Sequence, residues 1–448
     1  MKSKKWLVLS VVVALVLTML AGCGKSDTKD DAASAAPSTA ASAAPDAGAG
    51  KLTGDLEIQY FVGGYGDKWW KQVIGEFQAA NPDLKIKETS GPKINEQNKA
   101  RWIGGTPPDF VYIDGPEFNE VQAVTDGQLE DLSTWITDAK NVDGDKILDI
   151  LAQKPELHDG KTYSVPLVLG TWGMFWDKKL FADKGIAEPK DWPSFIAASQ
   201  KLKDAGITPF IHTGKYPYYI QRTLLLPAFV SANNNDFSIL RDIADLKPEV
   251  WANPAILAGL NKLVELRDKG FIDKASTSIN HTDSQSLFLQ HKDGFIPNGL
   301  WLPGEMAKDV PADFNFGQIP SVTQDAGGKV VANTSTATVA IAAKGKNKEN
   351  AKAFLQFIFS KKQAGPFAEL SGAPSNIKAD ITSSNALPYL KDAVAALSSD
   401  NTVVVPSITF PDDLDKAMWD ADVALTSGKI EPAEWIKRVS EAAAKIKK

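Results

Sequence analysis

An α/β class is predicted by three observations. Strand-like and helix-like segments alternate along most of the chain, 43% of the residues are hydrophobic as in an ordinary soluble protein, and the stretch from Leu52 to Lys448 is too long for one core. Two domains are the natural outcome. Leu56-Glu57-Ile58-Gln59-Tyr60-Phe61-Val62 alternates and then runs apolar, as a strand does, and Gly63-Gly64 ends it. A helix follows from about Asp67 to Ala80, with Trp70, Ile74 and Phe77 on one face and Asn81-Pro82 as its stop. Leu84-Lys85-Ile86-Lys87 is a second strand, and Pro107-Pro108 leads into a third, Asp109 to Asp114. After the Asp159-Gly160 turn, Lys161–Pro166 and Gly173–Trp176 read as two separate strands. Helices dominate the rest: Trp192 to Ala205, Ala255 to Lys269, Lys348 to Phe359, Pro411 to Leu425 and Pro432 to Lys447.

The N-terminus carries a different message. Lys2, Lys4 and Lys5 precede an apolar run from Trp6 to Met19, followed by Leu20-Ala21-Gly22-Cys23. A basic start, a short apolar run and small residues before a cut mark a secretory signal. The run is shorter than the ~20 residues a spanning helix needs. Leu-Ala-Gly-Cys resembles the lipobox of bacterial lipoproteins, which implies removal of residues 1–22 and acylation of Cys23, the only cysteine. Residues 23–52 are then expected to be a disordered, lipid-anchored tether, since Ala, Ser, Pro, Asp and Gly offer too little apolar surface to offset ordering entropy. As a flexible chain this tether gives roughly 30 Å of slack. The expected location is the extracellular face of the cell membrane, held by lipid.

Formal net charge is −6. That sign argues against nucleic acid and against adhesion to anionic lipid. Four scattered histidines and no free thiol supply a transition metal poorly. Asn141-Val142-Asp143-Gly144-Asp145 has the oxygen ligands of a calcium loop, but an ordinary polar turn is the preferred reading. No cofactor and no metal are expected.

Several motifs, in order, resemble one family. They are Pro107-Pro108-Asp109-Phe110-Val111, Gly127–Leu132, Asp159-Gly160-Lys161-Thr162-Tyr163-Ser164-Val165-Pro166, Phe175–Phe181, Asp293–Trp301 and Asn350–Phe357. The chain is similar over nearly its whole length, from about residue 53, to the extracellular solute-binding proteins of carbohydrate ABC importers. The resemblance implies a two-lobe periplasmic-binding-protein-like fold of type II, with a hinge and a ligand cleft between lobes. Carried over, lobe 1 holds residues 53–130 and 322–370, and lobe 2 holds 131–321 and 371–448. It implies a monomer, not an enzyme, that captures a mono- or oligosaccharide and hands it to a membrane permease. Arg101–Asp109 and Trp301–Met306 also resemble the N-acetylglucosamine and chitobiose binders. A surface-anchored glycoside hydrolase and a binder of a non-sugar solute are the alternatives.

A sugar offers apolar C–H faces and a rim of hydroxyls, so its site needs aromatic platforms with carboxylates and amides in the ring plane. Eleven of the 12 tryptophans follow the leader. Trp70 lies on the apolar, core-facing side of its helix; Trp69, displaced by one position, points elsewhere and is weighed between ligand contact and surface. Tyr65 follows the first strand, where the resemblance implies a ligand loop. Tyr112 and Asp114 end the third strand, and strand ends of open α/β sheets face the crevice. Trp301 is the first candidate for a stacking platform and Trp172 the second. Tyr216 and Tyr218 lie on the loop Lys215-Tyr216-Pro217-Tyr218-Tyr219, where the family carries ligand contacts. Asn333, with Thr334 and Ser335, is a source of polar contacts, and Phe410 and Asp412 complete the set.

Overall fold

Leu56, Ile58 and Tyr60 alternate inward on β1 (Gly54–Phe61), the central strand of the first lobe. The computed structural model describes residues 52–115 and 117–447; the leader, Cys23 and all but the last residue of the expected tether lie outside the described residues. β2 (Leu84–Gly91) and β3 (Phe110–Ile113) flank β1 in parallel. The remaining strands are β4 (Ser164–Asp177), β5 (Thr208–Phe210), β6 (Asp293–Gly299), β7 (Phe316–Ile319), β8 (Val330–Ile341) and β9 (Thr402–Val405). They join in the order β2-β1-β3-β8-β4-β6-β5, with β7 on β4 and β9 on β8. The mixed α/β architecture is that expected from the sequence.

Two long strands bind the lobes. The N-terminal part of β4 pairs antiparallel with β8, and its C-terminal part pairs with β6 and β7. β8 pairs with β9 at one end and with β3 at the other. The sequence suggested two short strands where one 14-residue strand stands. Every residue of β4 is buried, so its polarity pattern does not alternate and Pro166 and Gly170 look like breaks. A bulge at Leu167 accommodates Pro166, which has no amide to donate. A third crossing runs beside this bulge. Buried Asn376 donates Nδ2 to the carbonyls of Pro166 (3.0 Å) and Gln153 (2.8 Å) and accepts from Gln153 N at 2.8 Å. Its own backbone N donates to Leu167 O at 2.7 Å.

The longer helices used below are α1 (Lys68–Ala80), α2 (Ile94–Ile103), α3 (Trp192–Asp204), α4 (Pro254–Asp268), α5 (Lys348–Ile358), α6 (Lys361–Ser371), α7 (Asp412–Thr426) and α8 (Pro432–Ile446). In the first lobe α1 lies between the sheet and α6, so two of its faces are covered. Trp70 stacks on Tyr60 at 5.1 Å, and Trp69 meets Phe367 edge-on at 4.7 Å. Trp69 is therefore core, which corrects the sequence reading that left it open between ligand and surface. The same core includes Leu132, Ile136, Ile147, Ile150 and Leu151 together with Phe354 and Leu355 of α5. In the second lobe Trp176, Phe195, Phe295, Leu260 and Trp435 pack on one sheet face, and Phe175, Phe288, Phe316 and Tyr389 on the other. The Asn141–Asp145 loop is a self-capped turn: Asn141 Oδ1 accepts from the amides of Asp143 and Asp145, and Asp145 pairs with Lys361 at 2.9 Å. No helix of the described residues is long and apolar enough to cross a membrane.

Burial of a charge in the second lobe gives a testable consequence. Asp422, fully buried on α7, accepts Trp435 Nε1 at 2.7 Å through Oδ1, while Oδ2 has no partner. Burial pushes its carboxyl up to about 8. A carboxyl raised above its unfolded value contributes stability at low pH that is lost as pH rises from the ordinary carboxylate range through about 8. Asp422→Asn should therefore melt a few degrees above the wild type at pH 8, with the gap narrowing at pH 5. Thermal unfolding at both pH values checks this, and a variant that melts lower at pH 8 would show that the carboxylate is charged and compensated.

Candidate functional site

The first lobe reaches the gap between the lobes through the turn after β1. A Cβ placed on Gly64 would lie 2.9 Å from Trp301 Cβ, so only glycine lets this turn seat against the second lobe. Tyr65 follows and meets Trp301 edge-on, ring centroids 6.2 Å apart. Trp301 itself comes two residues after β6. Its ring lies flat over Gly299, which pairs with Trp172 of β4. Register thus delivers both indoles to one place, 4.8 Å apart and nearly perpendicular.

Tyrosines extend the cluster. Tyr219 is 5.5 Å from Trp172 and 6.3 Å from Trp301, and Tyr218 lies 5.9 Å from Trp172 and from Trp419 of α7. Tyr216, 38% exposed, is 6.0 Å from Tyr218. The chain then enters a π-helical turn, Gln221–Leu225, a distortion often found at working sites. There Gln221 accepts Trp419 Nε1 at 3.0 Å and donates to Asp415 at 3.2 Å, and Arg222 faces Asp415 at 3.5 Å. Burial pushes the Asp415 carboxyl up, against the pull of Arg222 and Gln221. Behind Tyr219, His281 lies parallel to its ring at 14° and bonds Glu305 at 3.0 Å, with Gln285 donating to the other oxygen at 2.9 Å. Burial would raise Glu305, but these two hydrogen bonds outweigh it and hold the carboxyl below its ordinary value.

The sequence candidates divide accordingly. Tyr65, Trp172, Tyr216, Tyr218 and Trp301 converge. Tyr112 is buried, and its hydroxyl donates to Asp114 Oδ2 at 3.3 Å; it holds Asp114, whose other oxygen accepts Gly115 N at 2.8 Å. Burial raises the carboxyl of Asp114, whose charge in turn helps burial raise the Tyr65 hydroxyl. Asn333 is buried with its amide committed to Arg222 O at 2.8 Å, and Phe410 is a core residue 5.1 Å beneath the Arg222 guanidinium. Both support the π turn rather than face the rings. Asp412 is exposed on the first turn of α7, three positions before Asp415. Sequence reasoning missed Tyr219, Gln221, His281, Glu305, Asp415 and Trp419. Tyr219 was legible as the neighbour of Tyr218; the others meet only through the tertiary fold.

An interlobe cleft of about 890 Å³ opens beside the crossing strands, with Asp114 on its first-lobe wall and Arg241 on its second-lobe wall. Ser164, Pro166, Thr336 and Thr338 line it, whereas Ser335 and Ala337 alternate to the opposite face. Glu120 on its wall accepts His158 at 3.0 Å, Ser164 at 2.7 Å and Thr338 at 2.8 Å.

The profile of the bacterial extracellular solute-binding proteins matches residues 63–365. Over 339 residues the chain is 26% identical to the diacetylchitobiose binding protein NgcE of Streptomyces coelicolor, covering 73% of this chain and 70% of that one. The multiple sugar-binding protein of Streptococcus mutans is 23% identical over 320 residues, 70% and 73% of the two chains. Among solved structures, a chitin oligosaccharide binding protein superposes with a TM-score of 0.67 at 20% identity, over 88% of this chain and 98% of that one. At that identity the match establishes the two-lobe fold.

The seat of Trp301 can be tested directly. A Cβ on Gly299 would come within 2.1–2.4 Å of the Trp301 ring, so Gly299→Ala must displace it. The near-ultraviolet dichroism of the perpendicular indoles should collapse while the far-ultraviolet spectrum is kept, at an overpacking cost of about 1–3 kcal/mol. An unchanged near-ultraviolet spectrum would refute this placement of the ring.

Proposed function

The chain belongs to the bacterial extracellular solute-binding proteins, and from that premise we propose that it captures a carbohydrate between its lobes for an ABC importer. The observation that carries this reading is the cluster of Tyr65, Trp172, Tyr218, Tyr219 and Trp301, drawn from both lobes. Such rings match the apolar faces of a pyranose, and the hydroxyls, Asp114 and neighbouring amides match its rim. Chito-oligosaccharides are the first ligands to try, because the relatives include diacetylchitobiose binding proteins. A binder rather than a hydrolase is supported by the state of the carboxylates. Hydrolysis needs two carboxyl groups free to flank one bond; here Glu305 is held by His281 and Gln285, and Asp415 by Gln221 and Arg222.

In this reading the ligand bridges rings of both lobes, and the closed form gains population only through contacts made there. Core membership supports lobe boundaries different from those carried over from the family: residues 132–168 go with lobe 1, because Leu132, Ile136, Leu151 and Val165 share its core. The extracellular location that the family indicates is refined, in our reading, to anchorage by acylated Cys23 of a monomer that delivers its sugar to a permease.

Tryptophan fluorescence of the protein titrated with N-acetylglucosamine, chitobiose, maltose, xylobiose and cellobiose tests the proposal. One sugar should give a saturable shift, and Trp301→Ala should weaken it by roughly 10–100-fold, the worth of one stacked ring. Silence across the panel, or full affinity in the variant, would overturn the carbohydrate reading or the platform, respectively.

A further inference from the structure

The end of lobe 1 opposite the cleft has a composition of its own. β1 and β3 run parallel from that pole toward Tyr65 and Asp114, and the 51 residues that precede Leu52 join the fold there. Asn350 ties the junction by donating to the carbonyls of Thr53 (3.1 Å) and Asp55 (3.0 Å). Beside it is a hollow of about 310 Å³ lined by Lys85, Lys87, Arg101, Lys344 and Lys346 against Asp55, Glu57 and Asp109. Two of these carboxylates are engaged. Glu57 takes both Arg101 nitrogens, at 2.7 and 2.8 Å, and Lys87 at 2.9 Å, while buried Asp109 accepts the backbone of Glu57 and Asn347 and the Asn347 amide. Lys85, Lys344 and Lys346 are exposed and make no ion pair among the described residues, leaving Asp55 as their only counterweight in the hollow. Ile103, the last residue of α2, is 72% exposed, more than any other large hydrophobic residue described, and lines a separate hollow with Trp102, Asp126 and Gln128.

We propose that this pole is a membrane-resting surface: Lys85, Lys344 and Lys346 take the phosphates of anionic phospholipid headgroups while Ile103 enters the interface. The proposal rests on the reading that the chain is tethered to a membrane through residues before Leu52. Net charge argued against adhesion to anionic lipid, but −6 is an average over the molecule and this pole departs from it. Juxtamembrane lysines gain from a negative surface, and an apolar tip adds a contact that salt does not screen. The consequence is an orientation. With this pole on the bilayer the cleft is held beyond the first lobe, a lobe's length from the surface, and delivery then requires the protein to reorient.

Cosedimentation of the unacylated chain from residue 24 to 448 with vesicles tests the surface without the anchor. Vesicles containing phosphatidylglycerol should pellet the protein at low ionic strength, and those of phosphatidylcholine alone should not. Lys85→Glu, Lys344→Glu and Lys346→Glu together should lower the pelleted fraction about fivefold or more, and Ile103→Asp should lower what persists at physiological salt. Equal pelleting by both vesicle types, or a triple variant that pellets like the wild type, would overturn the proposal. So would displacement by free inorganic phosphate of a probe that vesicles do not displace, which would make this a soluble-phosphate site. Sugar titration of the same samples reports the cleft independently, so failure of the carbohydrate reading and failure of this one are read separately.

Discussion

The antiparallel pairing of β4 with β8 is the interaction on which the rest depends. Seven registered pairs, from Ser164 with Ala340 to Thr171 with Thr334, make one ribbon that belongs to both lobes. Each lobe sheet grows from an end of this ribbon: β3, β1 and β2 from one, β6 and β5 from the other. Its geometry is fixed from the sides. Asn376 pins the Leu167 bulge with hydrogen bonds to the carbonyls of Pro166 and Leu167, and Glu120 clamps the two strands by accepting from Ser164 of one and Thr338 of the other. Buried polar groups so fully satisfied specify one arrangement, since any slip in register leaves several of them unpaired.

The two faces of the ribbon carry different side chains. Alternation along β8 sends Ser335 to the aromatic side and Thr336 and Thr338 to the other, so a single thin layer separates the ring cluster from the polar cleft around Glu120. The aromatic side is braced from behind by hydrogen-bonded polar groups: His281 and Glu305 support Tyr219, and Arg222 with Asp415 supports Gln221 and through it Trp419. These groups fix ring positions before any ligand arrives, which reduces the ordering that binding must otherwise supply.

Legibility in the sequence followed how local the determining physics was. β1, α1 and the helices near the C-terminus were read almost to the residue, because an amphipathic pattern and a nearby stop define each. β4 was broken in two, because a strand buried along its whole length loses its alternation. Trp69 was undecidable from its own helix; the neighbour that buries it, Phe367, lies almost 300 positions away. In the ring cluster, Trp301, Trp172 and Tyr65 are legible as candidates because the family resemblance points at strand ends, whereas His281 and Glu305, or Gln221 and Asp415, are neighbours only after folding. Asn333 and Phe410 were placed near the right turn, but on its supporting side.

The order in which the chain visits the two lobes bears on its biosynthesis. The first lobe lacks β8, α5 and α6 until residues 330–371 have been made, and the core of the second is closed by Trp435 on α8, thirteen residues before the last. Neither half has a complete core while it is still emerging from the ribosome. Contacts of such wide sequence separation make folding slow. For a chain whose family works outside the cytoplasm that delay is useful: a thread not yet condensed is fit to be passed through a narrow channel.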